Sequence, residues 1–347
     1  MGSLPWIGFV VLVVLLLALD LGVLNRRPHA ISASEAVRWT ILWVGLALSF
    51  NVALGFMYEY RLLGMGVSVG DPLTGKQAAL QFFTAYVVEE SLSIDNLFVM
   101  ALVFRYLAVP ALYQHRVLFF GILGALVFRG LFIGAGLAFI HLFTWAVYAF
   151  GALLLYTAGR MLFTKEEDEA DLDKNWLVRI LRVFMPVSAQ YYDDKFFVRL
   201  DRKVYATPLC VALILIESSD IVFAVDSVPA VFGVTGDPFI AFTSNVFAIL
   251  GLRSLYFALA AALHSFRYIK VSLVLVLGFV GAKMVLTHHL SINSGVSLAV
   301  ILVLLCGGVV ASLLPRGART ARGSDRPPPG NSAGGVNPHD SQPEKSR

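Results

Sequence analysis

The sequence predicts an all-α, polytopic membrane helix bundle of about nine transmembrane helices, and three observations lead to that prediction. Hydrophobic residues make up 58% of the chain and charged residues only 14%, the apolar residues fall in long runs, and the basic residues collect in alternate loops. A soluble domain has nearer a quarter charged residues, so this chain has too little polar surface to coat a water-soluble globule.

Nine segments have the length and composition of transmembrane helices, because a run of about 18 or more apolar residues can cross the lipid as a helix. No Lys or Arg precedes the first segment, and no small-residue cleavage site lies before Arg26 and Arg27. We therefore interpret this segment as a retained helix and not as a signal peptide. The predicted spans are 4–24, 38–57, 80–104, 117–140, 142–163, 206–232, 239–262, 271–288 and 295–314.

The basic residues predict the orientation of the chain. Lys and Arg fall in the loops that follow the odd-numbered helices, and the loops after the even-numbered helices contain only Arg61 and Lys76. Loops rich in Lys and Arg remain on the cytoplasmic side. We expect a protein of the cytoplasmic membrane with its N-terminus outside and its C-terminus inside. The net charge of +4 thus marks topology and does not indicate a nucleic-acid partner.

Composition divides the chain into a transmembrane domain, 1–314, and a tail, 315–347. The tail is rich in Pro, Gly and Ser, which predicts disorder. Within the transmembrane domain, the long loop 164–205 begins with an acidic run and continues with an amphipathic stretch at 176–184. We expect a solvated cytoplasmic linker with one interfacial helix there.

Three landmarks recur in the same order, which predicts an internal repeat of three helices at 80–163 and 206–288. The matched pairs, separated by 125, 124 and 123 residues, are Asp95 with Asp220, Arg129 with Arg253, and Arg160 with Lys283. Because three is odd, the second copy enters the membrane from the opposite side. Such inverted repeats are typical of secondary transporters, which bind their substrate near mid-membrane. The alternative is a duplicated scaffold without transport.

Carboxylates lie at bilayer depth in this prediction, where an ionised side chain costs at least about 2.5–3.5 kcal/mol. The predicted acids outnumber the predicted bases by about three, so either some carboxyls are protonated or a cation binds. The acids are Glu89, Glu90, Asp95, Glu217, Asp220, Asp226 and Asp20, and the bases are Arg129, Arg253, Arg160 and Lys283.

Helical spacing groups these residues into polar stripes. At about 100° per residue, Glu89, Ser93 and Asn96 share one face, and Glu217 shares another with Asp220. Pro229 cannot donate a backbone hydrogen bond, which leaves a carbonyl one turn earlier as a further oxygen ligand. Oxygen ligands suit Mg²⁺, Ca²⁺ and Mn²⁺. The predicted metal ligands are Asp95, Asp220, Glu90, Glu217, Asp226, Asn96 and Glu89.

Ion pairing between helices is the alternative explanation for any one of these carboxylates. Asp95 could pair with Arg129, and Asp220 with Arg253. Pairing cannot serve all the acids, because the bases are fewer. The residues predicted to pair charges or to gate are Arg129, Arg253, Asp20 and Lys283.

With these residues in view, the chain resembles the TerC family of membrane proteins, and its Alx-like branch most. The resemblance covers roughly residues 4–314 and is most specific at 90–98, 217–230, 237–240 and 244–253. It implies a bacterial cytoplasmic membrane protein of a family linked to manganese export, metal homeostasis and tellurite resistance. It also implies that Asp95 and Asp220 are the functional acids, with Glu90, Glu217 and Asp226 nearby.

The leading hypothesis is therefore a secondary transporter that exports a divalent metal, with Mn²⁺ the first candidate and protons the candidate counter-ion. The rival is a membrane scaffold or redox and stress modulator without transport. We expect no enzyme and no prosthetic cofactor, because the sequence has neither a P-loop nor a nucleophile–base pair at depth. Its expected partners are the metal ion and the lipid bilayer.

Overall fold

The computed structural model describes residues 3–20, 32–143, 145–163, 180, 183, 185–188, 190–200, 203–260, 268–286 and 292–313. Within these ranges the chain forms nine α-helices and one two-stranded antiparallel sheet. The helices are α1 (Leu4–Leu19), α2 (Ala33–Glu59), α3 (Gly75–Tyr106), α4 (Ala111–Leu142), α5 (Ala146–Phe163), α6 (Pro208–Phe232), α7 (Pro238–Ala260), α8 (Ile269–Val285) and α9 (Ser294–Leu313). The strands are β1 (Phe197–Leu200) and β2 (Lys203–Ala206).

Each predicted span overlaps one of these helices, but α2, α3 and α4 begin several residues before their predicted spans. Side-chain caps explain the starts of α2 and α3, whereas α4 follows Pro110 without a side-chain cap. Ser32 accepts a hydrogen bond from the Glu35 backbone at 3.3 Å, and Thr74 forms a reciprocal capping box with Gln77. These caps satisfy backbone N–H groups that a helix start leaves without partners. The helices therefore extend beyond the purely apolar segments.

Six of the helices in the described residues are long and apolar enough to cross a membrane: α2, α4, α5, α6, α7 and α9. The other three differ from this pattern for separate reasons. Helix α1 has 16 residues and α8 has 17, whereas α3 has 32 but carries several acids in its middle. The molecule is thus a polytopic helical membrane protein, and crossing by all nine helices stays a prediction.

Helix packing places α3 at the centre of the bundle. It contacts α7, α2, α6 and α9, while α4 packs against α6 and α7. Helices α5 and α8 meet at Gly151 and Gly281, where a methyl group added to Gly281 would lie 3.0 Å from the Gly151 carbonyl oxygen. On the outer face of α2, Ile41 and Val52 are exposed, which fits a surface in contact with lipid.

Helices α1 and α2 pack against the bundle through an aromatic cluster. The ring centroids of Phe50 and Phe247 lie 4.8 Å apart, those of Phe50 and Phe82 5.5 Å, and those of Phe9 and Phe239 5.9 Å. Aromatic pairs at these separations add stabilisation beyond the burial of their area. The cluster gives α1 a packed position although it is the shortest of the nine described helices.

Part of the loop 164–205 folds onto the turn between α3 and α4, which the sequence did not predict. Strands β1 and β2 form a hairpin, and Arg116 forms an ion pair with Asp194. The Tyr191 hydroxyl donates to the Leu107 carbonyl at 2.6 Å. Burial raises the pKa of Tyr191, so its hydroxyl keeps the proton that it donates.

Three sequence predictions lie almost wholly outside the described residues. They are the interfacial helix at 176–184, the basic pair Arg26 and Arg27, and the tail 315–347. These stay predictions.

Candidate functional site

Arg129 of α4 lies between two carboxylates, Glu89 of α3 and Asp220 of α6. It forms an ion pair with Glu89, and its Nη2 lies 3.3 Å from Asp220 Oδ1. Its Nη1 also donates to Ser227 Oγ at 3.3 Å, and Asn96 Nδ2 donates to Asp220 Oδ1 at 3.0 Å. All five side chains are at most 3% exposed. We call these five residues the central cluster.

The central cluster follows from helical spacing on two helices. Glu89 and Asn96 are seven residues apart on α3, and Asp220 and Ser227 are seven apart on α6. Seven residues make nearly two turns, so each pair projects from one face. Ser93, between the two members on α3, is also buried. The structure thus brings together the stripes that the sequence grouped.

The central cluster leaves several buried oxygens unsatisfied. Among the described residues, Asp220 Oδ2, Asn96 Oδ1, Glu89 Oε2 and Ser93 Oγ have no hydrogen-bond partner. An unpaired buried polar atom costs free energy unless water, an ion or a proton satisfies it. These atoms are the carboxylate, amide and hydroxyl oxygens that a hard cation binds.

Glu217 adds a third carboxylate beside Asp220, three residues earlier on the same face of α6. Its carboxylate lies against Gly124 of α4, so closely that a methyl group at Gly124 would overlap it. Glu217 Oε2 is buried and accepts no hydrogen bond from any described residue. A small cavity continues from Asp220 past Gly121 and Ile216.

Three other predicted ligands lie elsewhere. Glu90 faces α7, where Gly251 would place an added methyl group 3.9 Å from Glu90 Oε1. Asp226 accepts a hydrogen bond from Thr157 of α5 at 2.9 Å, outside the central cluster. Asp95 is half-buried, and six residues after Glu89 it lies about 240° round α3.

The ion pairs differ from the examples that the sequence suggested. Asp220 pairs with Arg129 and not with Arg253, whereas Arg253 pairs with Asp20 at the end of α1. The reason is that Asp20 lies on a helix outside the repeat, which the repeat-based pairing did not consider. Arg253 is 7% exposed and borders the same cavity as Asp220. Lys283 lies half-buried on α8.

No group of three or more His, Cys, Asp and Glu side chains in the described ranges is spaced to hold a metal ion. The guanidinium of Arg129 lies between the carboxylates of Glu89 and Asp220. A metal could use these oxygens only if the guanidinium moved away.

Two positions with close contacts in the structure had no clear signal in the charge pattern. Gly124 is one of many glycines in apolar runs. Asp237 is fully buried and caps α7, accepting from the Phe239 backbone at 2.9 Å and the Tyr58 hydroxyl at 2.6 Å. The backbone of Asp71 also donates to it at 2.7 Å. An Asp before a Pro at a helix start could have been recognised as a cap.

Comparison with known proteins places this architecture in a family. The model of the integral membrane protein TerC family matches residues 74–320, which include α3 to α9. The chain belongs to the TerC family. The matched region contains every predicted metal ligand, whereas Asp20, the partner of Arg253, lies before it.

Similar proteins cover nearly the whole chain. The membrane protein STKORF319 of Myxococcus xanthus is 45% identical over 89% of this chain and 92% of its own length. A protein of Escherichia coli (strain K12), named Alx and described as a proposed membrane-bound redox modulator, is 44% identical over 86% of this chain and 91% of its own. A membrane protein of Rickettsia felis is 37% identical over 89% and 97%. No solved structure matches.

The family description and these names identify an integral membrane protein and state no catalytic activity. They also name no transported ion. The choice between transport and modulation therefore depends on the chemistry of the central cluster.

Proposed function

We propose that this TerC family protein is a secondary transporter that exports a divalent cation, with Mn²⁺ the first candidate. The observation that carries the proposal is the charge at the site. Among the described side chains, Arg129 pairs with the buried carboxylates of Glu89 and Asp220. A third carboxylate, that of Glu217, has a buried oxygen and lies one helical turn before Asp220. If all three are ionised, two negative charges remain beyond the charge of Arg129. When the guanidinium moves away, a divalent cation neutralises two of the three carboxylates and a proton neutralises the third.

The ligand chemistry supports a hard cation. Apart from Arg129 Nε, the unsatisfied atoms at the site are oxygens, from Glu89, Asp220, Glu217, Asn96 and Ser93. Mg²⁺, Ca²⁺ and Mn²⁺ prefer such ligands, whereas Zn²⁺ and Cu²⁺ favour imidazole or thiolate. The resemblance to family members linked to manganese export makes Mn²⁺ the first of the three to test.

In this proposal Arg129 acts as a built-in substitute for the cation. Its guanidinium neutralises Glu89 and Asp220 when no ion is bound. An arriving ion displaces it, and its return favours release of the ion. Protons that neutralise the remaining carboxylates are the proposed counter-ion, and no prosthetic cofactor takes part. This exchange keeps the buried charge nearly balanced at each stage.

An inverted repeat of α3–α5 and α6–α8 would provide alternating access. Reciprocal packing supports it: α3 packs on α7, and α6 packs on α4. Glu90 lies against Gly251 in the first contact, and Glu217 lies against Gly124 in the second. The sequence interval between the two glutamates equals the interval between the two glycines. This shared interval is slightly longer than the one inferred from the charged landmarks, and it replaces that one. The proposed membrane is the cytoplasmic one, with the N-terminus outside and the C-terminus inside.

The rival function is a redox modulator, which the name of the Escherichia coli relative favours. Two free cysteines could serve it, Cys210 in α6 and Cys306 in α9. A modulator of this kind would retain its function in Asp220→Asn and lose it when the cysteines are replaced by serine.

Uptake of Mn²⁺, Ca²⁺ and Mg²⁺ into proteoliposomes tests the proposal directly. We expect Mn²⁺ transport by the purified protein and its loss in Asp220→Asn, because one of the negative charges is removed. Asp194→Asn is the matched control, since Asp194 lies exposed in the loop and away from the site. Equal transport by Asp220→Asn and the unaltered protein would contradict the proposal, as would the absence of transport in both.

A further inference from the structure

Gly124 meets a charged group at the site, unlike its neighbours on α4. A methyl group at Gly124 would overlap the carboxyl carbon and both carboxylate oxygens of Glu217. At Gly121, one turn earlier, an added methyl group would lie 3.5 Å from Ile216, and at Gly134 it would meet nothing within 4 Å. Gly136 also allows a close approach, since an added methyl group there would lie 2.5 Å from the Phe232 ring. Among the glycines of α4, Gly124 is thus the one that leaves room for a carboxylate.

The contact fixes where the carboxylate of Glu217 can lie. Gly124 and Arg129 are on the same helix, five residues apart, and they receive Glu217 and Asp220 of α6. Any side chain at position 124 would push the Glu217 carboxylate away from the α4 backbone. Its buried Oε2 would then leave the region beside Asp220.

We propose that Gly124 is a positioning residue, which admits the Glu217 carboxylate to the cation site by lacking a side chain. This inference rests on the proposed transport function and adds a structural requirement to it. Gly124 itself does not contact the cation and affects it only through the position of Glu217. Its replacement should therefore weaken cation binding without removing any charge.

Gly251 provides a matched control on α7. An added methyl group there would lie 3.7 Å from Trp43 and 3.9 Å from Glu90, which are ordinary van der Waals distances. Alanine also favours a helix over glycine by about 1 kcal/mol, so neither substitution weakens its helix. A loss of transport in Gly124→Ala but not in Gly251→Ala would thus report the displaced carboxylate.

The experiment measures Mn²⁺ transport against Mn²⁺ concentration in proteoliposomes. We expect Gly124→Ala to raise the KM about 10–100-fold, the range for lost support of a metal ligand, and Gly251→Ala to change it less than about twofold. The second variant is Gly124→Ala combined with Glu217→Asp, whose side chain is one methylene shorter. The double variant should have a KM at least about tenfold lower than that of Gly124→Ala, since the shorter acid leaves room for the methyl group.

The outcomes separate this inference from the function on which it rests. An unchanged KM in Gly124→Ala, with transport impaired in Glu217→Gln, would overturn the positioning role and leave the transporter intact. Absence of rescue by the shorter acid, with Glu217→Asp alone active, would overturn it as well. Normal transport in both Glu217→Gln and Asp220→Asn would instead overturn the proposed function. If Gly124→Ala does not fold, recovery of folding and transport in the double variant supports the inference.

Discussion

In the contact of Glu217 with α4 and in that of Glu90 with α7, a glutamate lies near a glycine of another helix, closely at Gly124 and at an ordinary van der Waals distance at Gly251. Their surroundings differ. At the sequence interval that relates the two glutamates, Asp220 corresponds to Ser93, and Arg129 corresponds to Tyr256. At these positions the Glu217 half has a second acid and a base. The Glu90 half has a tyrosine and a serine, and that serine also borders the central cluster.

A glutamate near a glycine of another helix therefore does not by itself make a cation site. Tyr256 packs edge-on against Phe104 and donates a 3.4 Å hydrogen bond to Gln114, which suits a neutral helix contact. Arg129 instead bridges two carboxylates in surroundings from which water is excluded, where charges interact strongly. We infer that charge, added to one half of a common scaffold, creates the functional asymmetry.

The largest expected effect comes from removing the base of the Glu217 half. Arg129→Met would leave Glu89 and Asp220 buried without their cation, which costs about 3–5 kcal/mol. The equivalent change, Tyr256→Phe, removes one long hydrogen bond and should cost less than about 1.5 kcal/mol. Unfolding in detergent micelles, followed by circular dichroism, measures both.

The effect of Mn²⁺ on the unfolding temperature provides a second test of the role of Arg129. If Arg129 substitutes for the cation, Mn²⁺ should raise the unfolding temperature of Arg129→Met more than that of the unaltered protein, because a ligand that binds the folded state stabilises it. Equal costs for the two substitutions, with no effect of Mn²⁺, would contradict the asymmetry between the halves.

The next largest effect should appear in transport when each glutamate becomes neutral. Glu217→Gln removes a proposed ligand and should raise the KM for Mn²⁺ about 10–100-fold, whereas Glu90→Gln should change it less than about threefold. Transport into proteoliposomes measures both variants under the same conditions. A larger increase of the KM in Glu90→Gln than in Glu217→Gln would contradict the assignment of the cation site to the Glu217 half.

Helical spacing predicted part of the site because it fixes the angle of each side chain about its own helix. It grouped Glu89 with Ser93 and Asn96, and these lie together in the structure. It could not predict which neighbour each face meets. Asp226 was therefore placed with the metal ligands, although α5 receives it through Thr157.

The proposed repeat shows the same limit at the level of the fold. The sequence predicted two triplets from acids and bases that looked alike, and the three matched pairs differed slightly in their separation. The glutamates and glycines that meet across helices share one longer interval, and their contacts favour that interval for the proposed repeat. The hairpin β1–β2 also gave no signal, since its strands are short and mixed in polarity.

A smaller effect is expected at the helix starts of the two halves. Helices α4 and α7 begin at equivalent positions by the same interval, after Pro110 and Asp237. Asp237→Ala removes a cap and also the acceptor of the Tyr58 hydroxyl and the Asp71 backbone, so it should cost about 2–3 kcal/mol. Pro110 makes no side-chain cap, so Pro110→Ala should cost less than about 1 kcal/mol. Chemical unfolding in micelles measures the difference, and equal costs would refute the unequal capping of the two halves.

The smallest effect should come from the other arginine of α4 with a described ion pair, and it tests whether burial or charge alone distinguishes the Glu217 half. Arg116 pairs with Asp194, but the two side chains are 38% and 44% exposed. An exposed pair contributes about 0.2–1 kcal/mol and weakens as salt screens it. A double-mutant cycle with Arg116→Ala and Asp194→Ala, at low and high salt, measures that coupling. A coupling as large as the cost of Arg129→Met would mean that an arginine on α4 stabilises the fold wherever it lies. The contrast between the halves would then not depend on the burial of charge.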